Sequence, residues 1–430
     1  MNTAEFKDSP LGPIPQDWEV KRLGDLCEKI GSGATPLGGA SSYCQTGIAL
    51  IRSQNVVDTR FSFDGLAYIN SDQADELANV EVLSKDVLLN ITGDSVARVC
   101  TVPDSALPAR VNQHVCILRT IAKKCHYLYL AYRLVVEKKR LLAAAFGGGT
   151  RNALTKADVE AFTITCPPLP EQQRIAEALG EVDKLIESLD EQIEKKRLIA
   201  KGVAHDLLSA KKRLPGFKGA WREVAFKVAF ISLGNNTYAR ECLCGDSANA
   251  YDIHYGDVLI RFGAVVDFSS DSIPRLKDGI KPNKDFLQDG DIVFADTAED
   301  EMVGKAVEIR GLGDDKAVSG LHTMACRPRA DMFAPRFLGY YLNSDSYRKQ
   351  LLPLITGSKV SSLSRANFES TILTIPDVIE QQAIADLLSE QDAAIAALEA
   401  KREKYARIKE GMMRDLFTGK VRMKGECDDK

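Results

Sequence analysis

Apolar residues recur in steps of four and three through Ile175, Leu179, Val182, Ile186, Leu189, Ile193, Lys196, Ala200, Val203 and Leu207. This is a heptad seam with two small or polar interruptions. A second seam runs through Ile384, Leu388, Gln391, Ile395, Leu398, Arg402, Tyr405, Lys409, Met412 and Leu416, with Leu387, Ala394 and Ile408 flanking it. Pro167, Pro168 and Pro170 end what precedes the first seam, and Pro376 does the same for the second. The spacing predicts two helices of about 40 residues, each roughly 60 Å long. A lone exposed helix of that length with an apolar stripe needs a partner, and the nearest candidate is the other copy.

The two seams belong to one repeat. Glu171-Gln172-Gln173 returns as Glu380-Gln381-Gln382, and the register holds at +209 to Leu208 and Phe417. Of those 38 aligned pairs, 16 are identical. A fainter match upstream pairs Leu154, Ala157, Thr165 and Pro167 with Leu363, Ala366, Thr374 and Pro376. The period is too long for a solenoid, so the chain is a two-fold duplication: a variable part, then a better-kept helix. Such a duplication points to a target that is itself two-sided.

Each variable part is mixed in character. Strands are expected at Ile48–Ile51, Val87–Ile91 and Val115–Leu118, and in the second half at Asp257–Arg261, Ile292–Ala295 and Ala306–Ile309. Helical segments are expected at Tyr127–Phe146 and Phe337–Leu352. The fold class is therefore α+β, with two globular domains separated by two long repeated helices packed as an antiparallel coiled coil. The boundaries expected are 1–165 and 213–374 for the globular domains, 166–212 for the central repeat helix, and 375–430 for the C-terminal helix and tail. Trp18 and Trp221, the only tryptophans, open the two halves, and 214–219 reads as a linker.

Composition adds bounds. Hydrophobic content of 45% and charged content of 27% are those of a globular protein. No basic n-region with an apolar core follows Met1, and no apolar run suffices to span a bilayer, so the expected location is cytoplasmic, with no membrane partner. The ten cysteines then read as reduced thiols. Net charge is −4, but cations crowd both helices: Lys195, Lys196, Arg197, Lys201, Lys211, Lys212 and Arg213 in the first, and Lys401, Arg402, Lys404, Arg407, Lys409 and Arg414 in the second. They read as a solvated helical face, as phosphate-tracking charge, or as both.

Catalytic constellations are missing. The Gly147-Gly148-Gly149 run follows a helix rather than a strand, and its repeat partner lacks the pattern, so it is not an S-adenosylmethionine loop. The amino-methylation tetrad and the phosphate-binding loop of ATPases are absent. Glu194-Lys195-Lys196 lies on the heptad helix, where charge is expected, and Cys242 and Cys244 lack a second pair at zinc spacing. His114 and His322, in corresponding places, read as satisfied structural residues. No catalytic residue and no metal site is expected, which favours a recognition or scaffolding subunit.

Pro168-Leu169-Pro170-Glu171-Gln172-Gln173-Arg174-Ile175-Ala176-Glu177 and its copy Ile379-Glu380-Gln381-Gln382-Ala383-Ile384-Ala385-Asp386 open the helices. Near the N-terminus stand Gly12 to Val20, Leu23-Gly24-Asp25-Leu26, Gly31 to Pro36 and Ile51 to Val56. In these segments the chain resembles, over essentially its whole length, the specificity subunit of Type I restriction–modification enzymes. The resemblance implies a subunit that is no enzyme by itself. Each variable half would be a target recognition domain for one part of a split, asymmetric site in double-stranded DNA, with the paired helices as spacer. Two modification (methyltransferase) subunits, carrying S-adenosylmethionine and methylating adenine, would dock on the repeats at Glu171, Gln172, Gln173, Glu380, Gln381 and Gln382. Restriction subunits, carrying ATP- and Mg-dependent motor and nuclease functions, would join them. No cofactor is expected in this chain. Two features depart from the family's pattern. Asn235 to Tyr238 stand where the first half has a glycine-rich loop, and the loops from Asp246 to Glu301 are acidic.

Candidate DNA contacts are polar residues beside strand ends. Arg52, Ser53, Gln54 and Asn55 follow an apolar strand, and Arg261 is the +209 partner of Arg52. Arginine reads guanine and Asn or Gln reads adenine in the major groove. Thr150, Arg151 and Asn152, with Lys359, Ser361 and Ser362, precede the helices as candidate phosphate contacts. Three alternatives stay open: the recognition subunit of a fused methyltransferase–nuclease system, a self-contained DNA methyltransferase, and a coiled-coil scaffold without nucleic acid.

Overall fold

The computed structural model describes residues 5–36, 38–146, 152–245, 249–282, 285–357, 359–423 and 425. The repeat is visible as two helices of 40 residues, Leu169–Leu208 and Val378–Phe417. Both start where the prolines require. The carbonyl of Pro168 accepts the amides of Glu171 and Gln172. Asp377 caps the second helix by accepting the Glu380 amide at 3.0 Å.

Compact units do not follow the expected boundary between globular part and helix. One unit joins Met1–Ser188 to Lys401–Lys430, and the other is Leu189–Ala400. Each therefore takes one variable part, half of the central helix and half of the C-terminal helix. In the first unit Ile175, Ala176 and Leu179 share a core with Leu416 and Phe417, and Lys409 reaches Asp183 at 2.5 Å. In the second unit Leu207 and Leu208 share a core with Ile384, Ala385 and Leu388, and Arg197 reaches Glu399 at 2.6 Å. Partners on one helix rise as those on the other fall, so both pairings are antiparallel. The coiled coil expected from the seams is present, with the apolar positions as its buried side.

In the first unit an antiparallel sheet orders Val99–Thr101, Val87–Asn90, Val115–Thr120 and Cys27–Ser32. A second sheet orders Ala67–Ile69, Ile48–Ile51, Ala109–Val111 and Glu81–Val82, with the middle pair parallel. The second unit repeats this plan. Its larger sheet orders Phe230–Leu233, Thr323–Pro328, Ile292–Ala295, Ala306–Arg310 and Val265–Asp267. Its smaller sheet ends in the parallel pair Tyr251–Ile253 with Ala317–Ser319. Even buried ion pairs recur: Arg119 forks onto Asp86 at 2.8 and 2.7 Å, and Arg327 onto Asp291 at 2.8 and 2.8 Å. A buried carboxylate tolerates loss of water only with such a partner.

Five of the six expected strands form. The exception is Asp257–Arg261, of which Asp257 to Ile260 lie in a helix at Tyr255–Ile260 and Arg261 is its C-cap, while the strand sits just upstream at Tyr251–Ile253. His254 starts the helix by accepting the Gly256 amide, and Val258 is its buried apolar residue. The two predicted helical segments also break. Tyr127–Phe146 divides at Glu137, whose buried carboxylate is held by Arg133 and Arg140. Phe337–Leu352 divides before Ser344, which caps the helix Asp345–Leu351.

Candidate nucleic-acid interface

In the first unit the predicted readers gather at one end of both sheets. The strand Ile48–Ile51 runs into Arg52, and Ser53–Asn55 form a single 3-10 turn. Asn55 is fully buried: its oxygen accepts the Arg52 amide, and its NH2 donates to the carbonyls of Ser62 and Asp64. Arg52 donates to the Gly65 carbonyl and lies over the Tyr43 ring at 5.3 Å. Gln54, which is exposed, donates to Gly65 as well at 3.2 Å. These side chains thus hold the loop 62–65, and Phe63 stands out of it, 51% exposed.

Neighbouring strand ends complete the cluster. Asn90 donates to the Ser53 carbonyl at 2.8 Å, the Asn112 amide donates to the Ile51 carbonyl, and Thr92 bonds His114 Nδ1 at 2.5 Å. Asn152 belongs here too, its carbonyl accepting the Gly93 amide. Thr150 and Arg151 lie outside the described residues. Asn90, Asn112 and Thr92 were missed in the sequence because each sits inside or beside an apolar strand. Only the pairing of strands brings them to one end.

The second unit builds the same end from different residues. Strand registers match Ala49 to Tyr251 and Ile51 to Ile253, because Ala109–Val111 and Ala317–Ser319 are the corresponding partners. The structural counterpart of Arg52 is therefore His254, that of Asn55 is Asp257, and that of Leu50 is Asp252. Arg261 is not the counterpart of Arg52. The +209 register holds in the helices, whereas loops of unequal length shift it at this strand. Arg261 follows the short helix, and its guanidinium is held by Asp257 at 3.0 Å and the Ser272 carbonyl at 2.7 Å. Ser361 and Ser362 pair with Ala298 and Thr297, and Thr297 in turn lies 3.4 Å from His322 Nδ1. They reach the same end as His254, since Tyr255 and His322 meet edge to face. Lys359 is exposed nearby in the chain.

The electrostatics of the two ends differ. Burial, with Arg240 next, lowers the His254 imidazole below its usual range. Asp252 is fully buried, and neither carboxylate oxygen has a hydrogen-bond partner among the described residues. Burial, with Asp257 adding repulsion, pushes its carboxyl up to about 7. Gly320 packs on it: a Cβ there would stand 2.2 Å from Asp252 Oδ1, so only glycine fits.

The six Glu-Gln-Gln residues divide. Glu171 is buried, accepting Trp18 Nε1 at 3.1 Å and both ends of the Arg422 fork at 2.8 and 2.7 Å. Gln172 accepts the His126 amide and donates to the carbonyls of Lys124 and Pro167. Glu380 is buried under the Arg213 fork, at 2.5 and 2.5 Å. Gln381 accepts the Ala334 amide and donates to Met332 and Pro376. These four side chains are engaged inside their own unit and tie the helix start to the variable part. Gln173 is exposed and Gln382 half-buried, hydrogen-bonded to Asp386. Among the described residues no three His, Cys, Asp or Glu side chains are grouped to hold a metal ion, and no helix is long and apolar enough to cross a membrane.

Two α+β domains on one plan, each with a polar strand-end cluster of its own composition, define a duplicated recognition protein. The sequence pattern of the Type I restriction modification DNA specificity domain matches residues 15–196 and 276–409, and the chain belongs to that family. Its role is DNA sequence recognition as a non-catalytic specificity subunit. Similar proteins include a putative type I restriction enzyme MjaX specificity subunit of Methanocaldococcus jannaschii, 24% identical over 434 residues and 97% of each chain. The MjaVIII specificity subunit of the same organism is 25% identical over 439 residues, 97% of this chain and 96% of that one. Among solved structures, the Type-I restriction-modification system S subunit from M. genitalium aligns with TM-score 0.59 at 14% identity over 97% of both chains. A chain from a type I R-M system, studied for complex assembly and conformational transition, aligns with TM-score 0.53 at 18% identity, covering 95% of this chain and 99% of that one. These structural likenesses bear on the fold.

Proposed function

We propose that each unit reads one part of an asymmetric, bipartite site in double-stranded DNA. Two modification subunits then methylate adenine, and restriction subunits cleave with ATP. One observation carries this reading: the same strand-end frame bears Arg52 and Asn55 in one unit and His254 and Asp257 in the other. A shared frame supports a shared way of meeting the duplex, while different side chains support different bases. Arg52, Ser53 and Gln54 are the proposed readers of the first part, with His254 at the matching place in the second. Asn152, Lys359, Ser361 and Ser362, with Thr150 and Arg151, are proposed to face phosphates. Asn55 and Arg261 support their loops instead.

With Glu171, Gln172, Glu380 and Gln381 engaged internally, docking of the modification subunits falls to the outer faces of the paired helices, where Gln173 and Gln382 remain accessible. S-adenosylmethionine, ATP and Mg belong to those partners, and the complex works in the cytoplasm. The test is to express this chain with a modification subunit in a methylation-free host and map methylated adenines. The expected result is one asymmetric motif in two parts, with one modified adenine on each strand. A single contiguous or symmetric motif, or DNA binding of the complex without salt dependence, counts against the reading.

A further inference from the structure

The two helix pairs carry the same acidic position but not the same cation. In the first unit Asp183 accepts the Tyr132 hydroxyl at 2.6 Å and the Lys409 ammonium at 2.5 Å. Lys409 is buried, its ammonium 5.1 Å above the Tyr132 ring. Carboxylate, hydroxyl and aromatic face together make a complete receptor for a primary ammonium, and the chain fills it itself.

In the second unit the receptor recurs without its occupant. Asp392, 209 positions after Asp183, accepts the Tyr340 hydroxyl at 2.7 Å. The position that answers to Lys409 is Ala200. In its place is a groove of about 280 Å³ lined by Ala200, Ala204, Tyr340, Leu388, Gln391 and Asp392. Lys201 borders it as well, but that side chain is exposed and makes no ion pair with Asp392 among the described residues. Gln391 Oε1 is buried there with no hydrogen-bond partner among the described residues. Arg197 at the rim is taken by Glu194 and Glu399. Asp392 itself stays open to solvent, and partial burial raises its carboxyl above the usual range against the opposing hydrogen bond from Tyr340.

We propose that this groove receives a primary ammonium on an alkyl stem, supplied by a lysine of the modification subunit that docks on this helix pair. The occupant is specified by the first unit, where the same carboxylate and tyrosine hold Lys409. An ammonium brings three donors, which match the Asp392 carboxylate and the idle Gln391 oxygen. A guanidinium fits less well, since nothing in the groove offers a second, coplanar carboxylate edge. The two docking faces are then unequal: one is closed by the chain's own lysine, and the other is completed by the partner. This rests on the docking proposed above for the paired helices.

Two measurements test it. The full chain alone is titrated with n-butylammonium chloride and followed by methyl NMR at Ala200, Leu388 and Ile395. Saturable shifts are expected in the wild type, lost in Asp392→Asn and in Ala200→Lys, with none near Asp183. No saturable shift, or the same shift in Asp392→Asn, overturns the inference. Then wild type, Asp392→Asn and Ala200→Lys are each titrated with the modification subunit, and stoichiometry is read by native mass spectrometry. Wild type should bind two copies, and both variants should bind the second copy at least tenfold more weakly. Two copies bound equally well by all three chains overturns the lysine contact and leaves the docking reading intact. No binding by wild type removes the docking reading and this inference with it.

Discussion

Arg422 grips Glu171 from 251 positions away, through Nε and Nη2 at 2.8 and 2.7 Å. Arg213, 209 positions before Arg422, grips Glu380 in the same way. Each arginine also stands over a tryptophan, Arg422 over Trp18 at 5.7 Å and Arg213 over Trp221 at 5.8 Å. The arginine that follows one long helix thus locks the glutamate that opens the other. The repeat keeps Glu-Gln-Gln because the first two side chains fasten helix to domain in both units.

Removing one side of a buried pair strands the other charge. Arg422→Ala should destabilise the first unit by about 3–5 kcal/mol. Arg213→Ala should destabilise the second unit, and by less, because Arg213 is more open to solvent than Arg422. Arg→Lys at either place keeps the charge and loses the fork, so the loss should be smaller. Hydrogen exchange resolved by residue checks this: amides of the affected unit should speed up while those of the other keep their protection. A change spread evenly over both units contradicts the pairing.

Asp252 gives the second unit a pH dependence of known sign. Its folded value, about 7, is above the ordinary carboxylate value of 3.8, so the folded state holds the proton more tightly. The contribution of Asp252 to stability should therefore be largest below about pH 4, fall as pH rises towards 7, and level off above it. The three-unit gap sets a ceiling of roughly 4 kcal/mol. Asp252→Asn, or Asp252→Leu after the Leu50 of the first unit, should flatten the profile and stabilise the unit at pH 8. Urea unfolding of wild type and variants at pH 5.5 and 8 decides it. Equal pH slopes with and without Asp252 would falsify the assignment.

Much of this was legible in the sequence, for physical reasons. Heptad spacing fixes the helices because 3.5-residue periodicity leaves one face to bury, and both helices form over 40 residues. Apolar runs such as Val115–Leu118 become central strands, buried on both sides. The candidate site was half legible. Arg52 to Gln54 stood out as polar residues after an apolar strand, but Asn90 and Asn112 reach them only through strand pairing. Arg261 was misplaced because a constant offset cannot follow loops of unequal length. Glu171 and Glu380 looked like surface residues because glutamate at a helix start usually is one. Their arginines lie more than 160 positions away.

The thiols should divide by burial. Burial pushes Cys27, Cys100, Cys116 and Cys166 up to about 12, and holds Cys125 and Cys326 well above their usual range. Cys44, Cys242 and Cys244 are partly exposed. At pH 8 a thiol raised by three units has about a thousandfold less thiolate, besides being shielded. Iodoacetamide should label Cys44, Cys242 and Cys244 in the native chain and the six buried thiols only after denaturation. Early labelling of Cys326, read by peptide mass spectrometry, contradicts the core of the second unit.

Arg52 joins the loop frame to the proposed reading of DNA. Its guanidinium holds the Gly65 carbonyl and lies over Tyr43, while its side chain remains partly exposed at the strand end. Arg52→Ala should relax the base preference of one part of the site and leave the other part's sequence intact, because His254 occupies the matching place in a separate unit. Loss of a bidentate base contact costs on the order of 1–3 kcal/mol, so the preferred base should lose roughly tenfold or more over its rivals. Gln54→Ala, which removes the other side chain on Gly65, should alter the same part and no other. Methylome mapping of each variant in the complex reads this directly, and urea unfolding of the same proteins separates a lost contact from a loosened loop. Binding weakened equally for all sequences makes Arg52 a phosphate contact, and a change in the other half-site removes the one-unit, one-half-site reading.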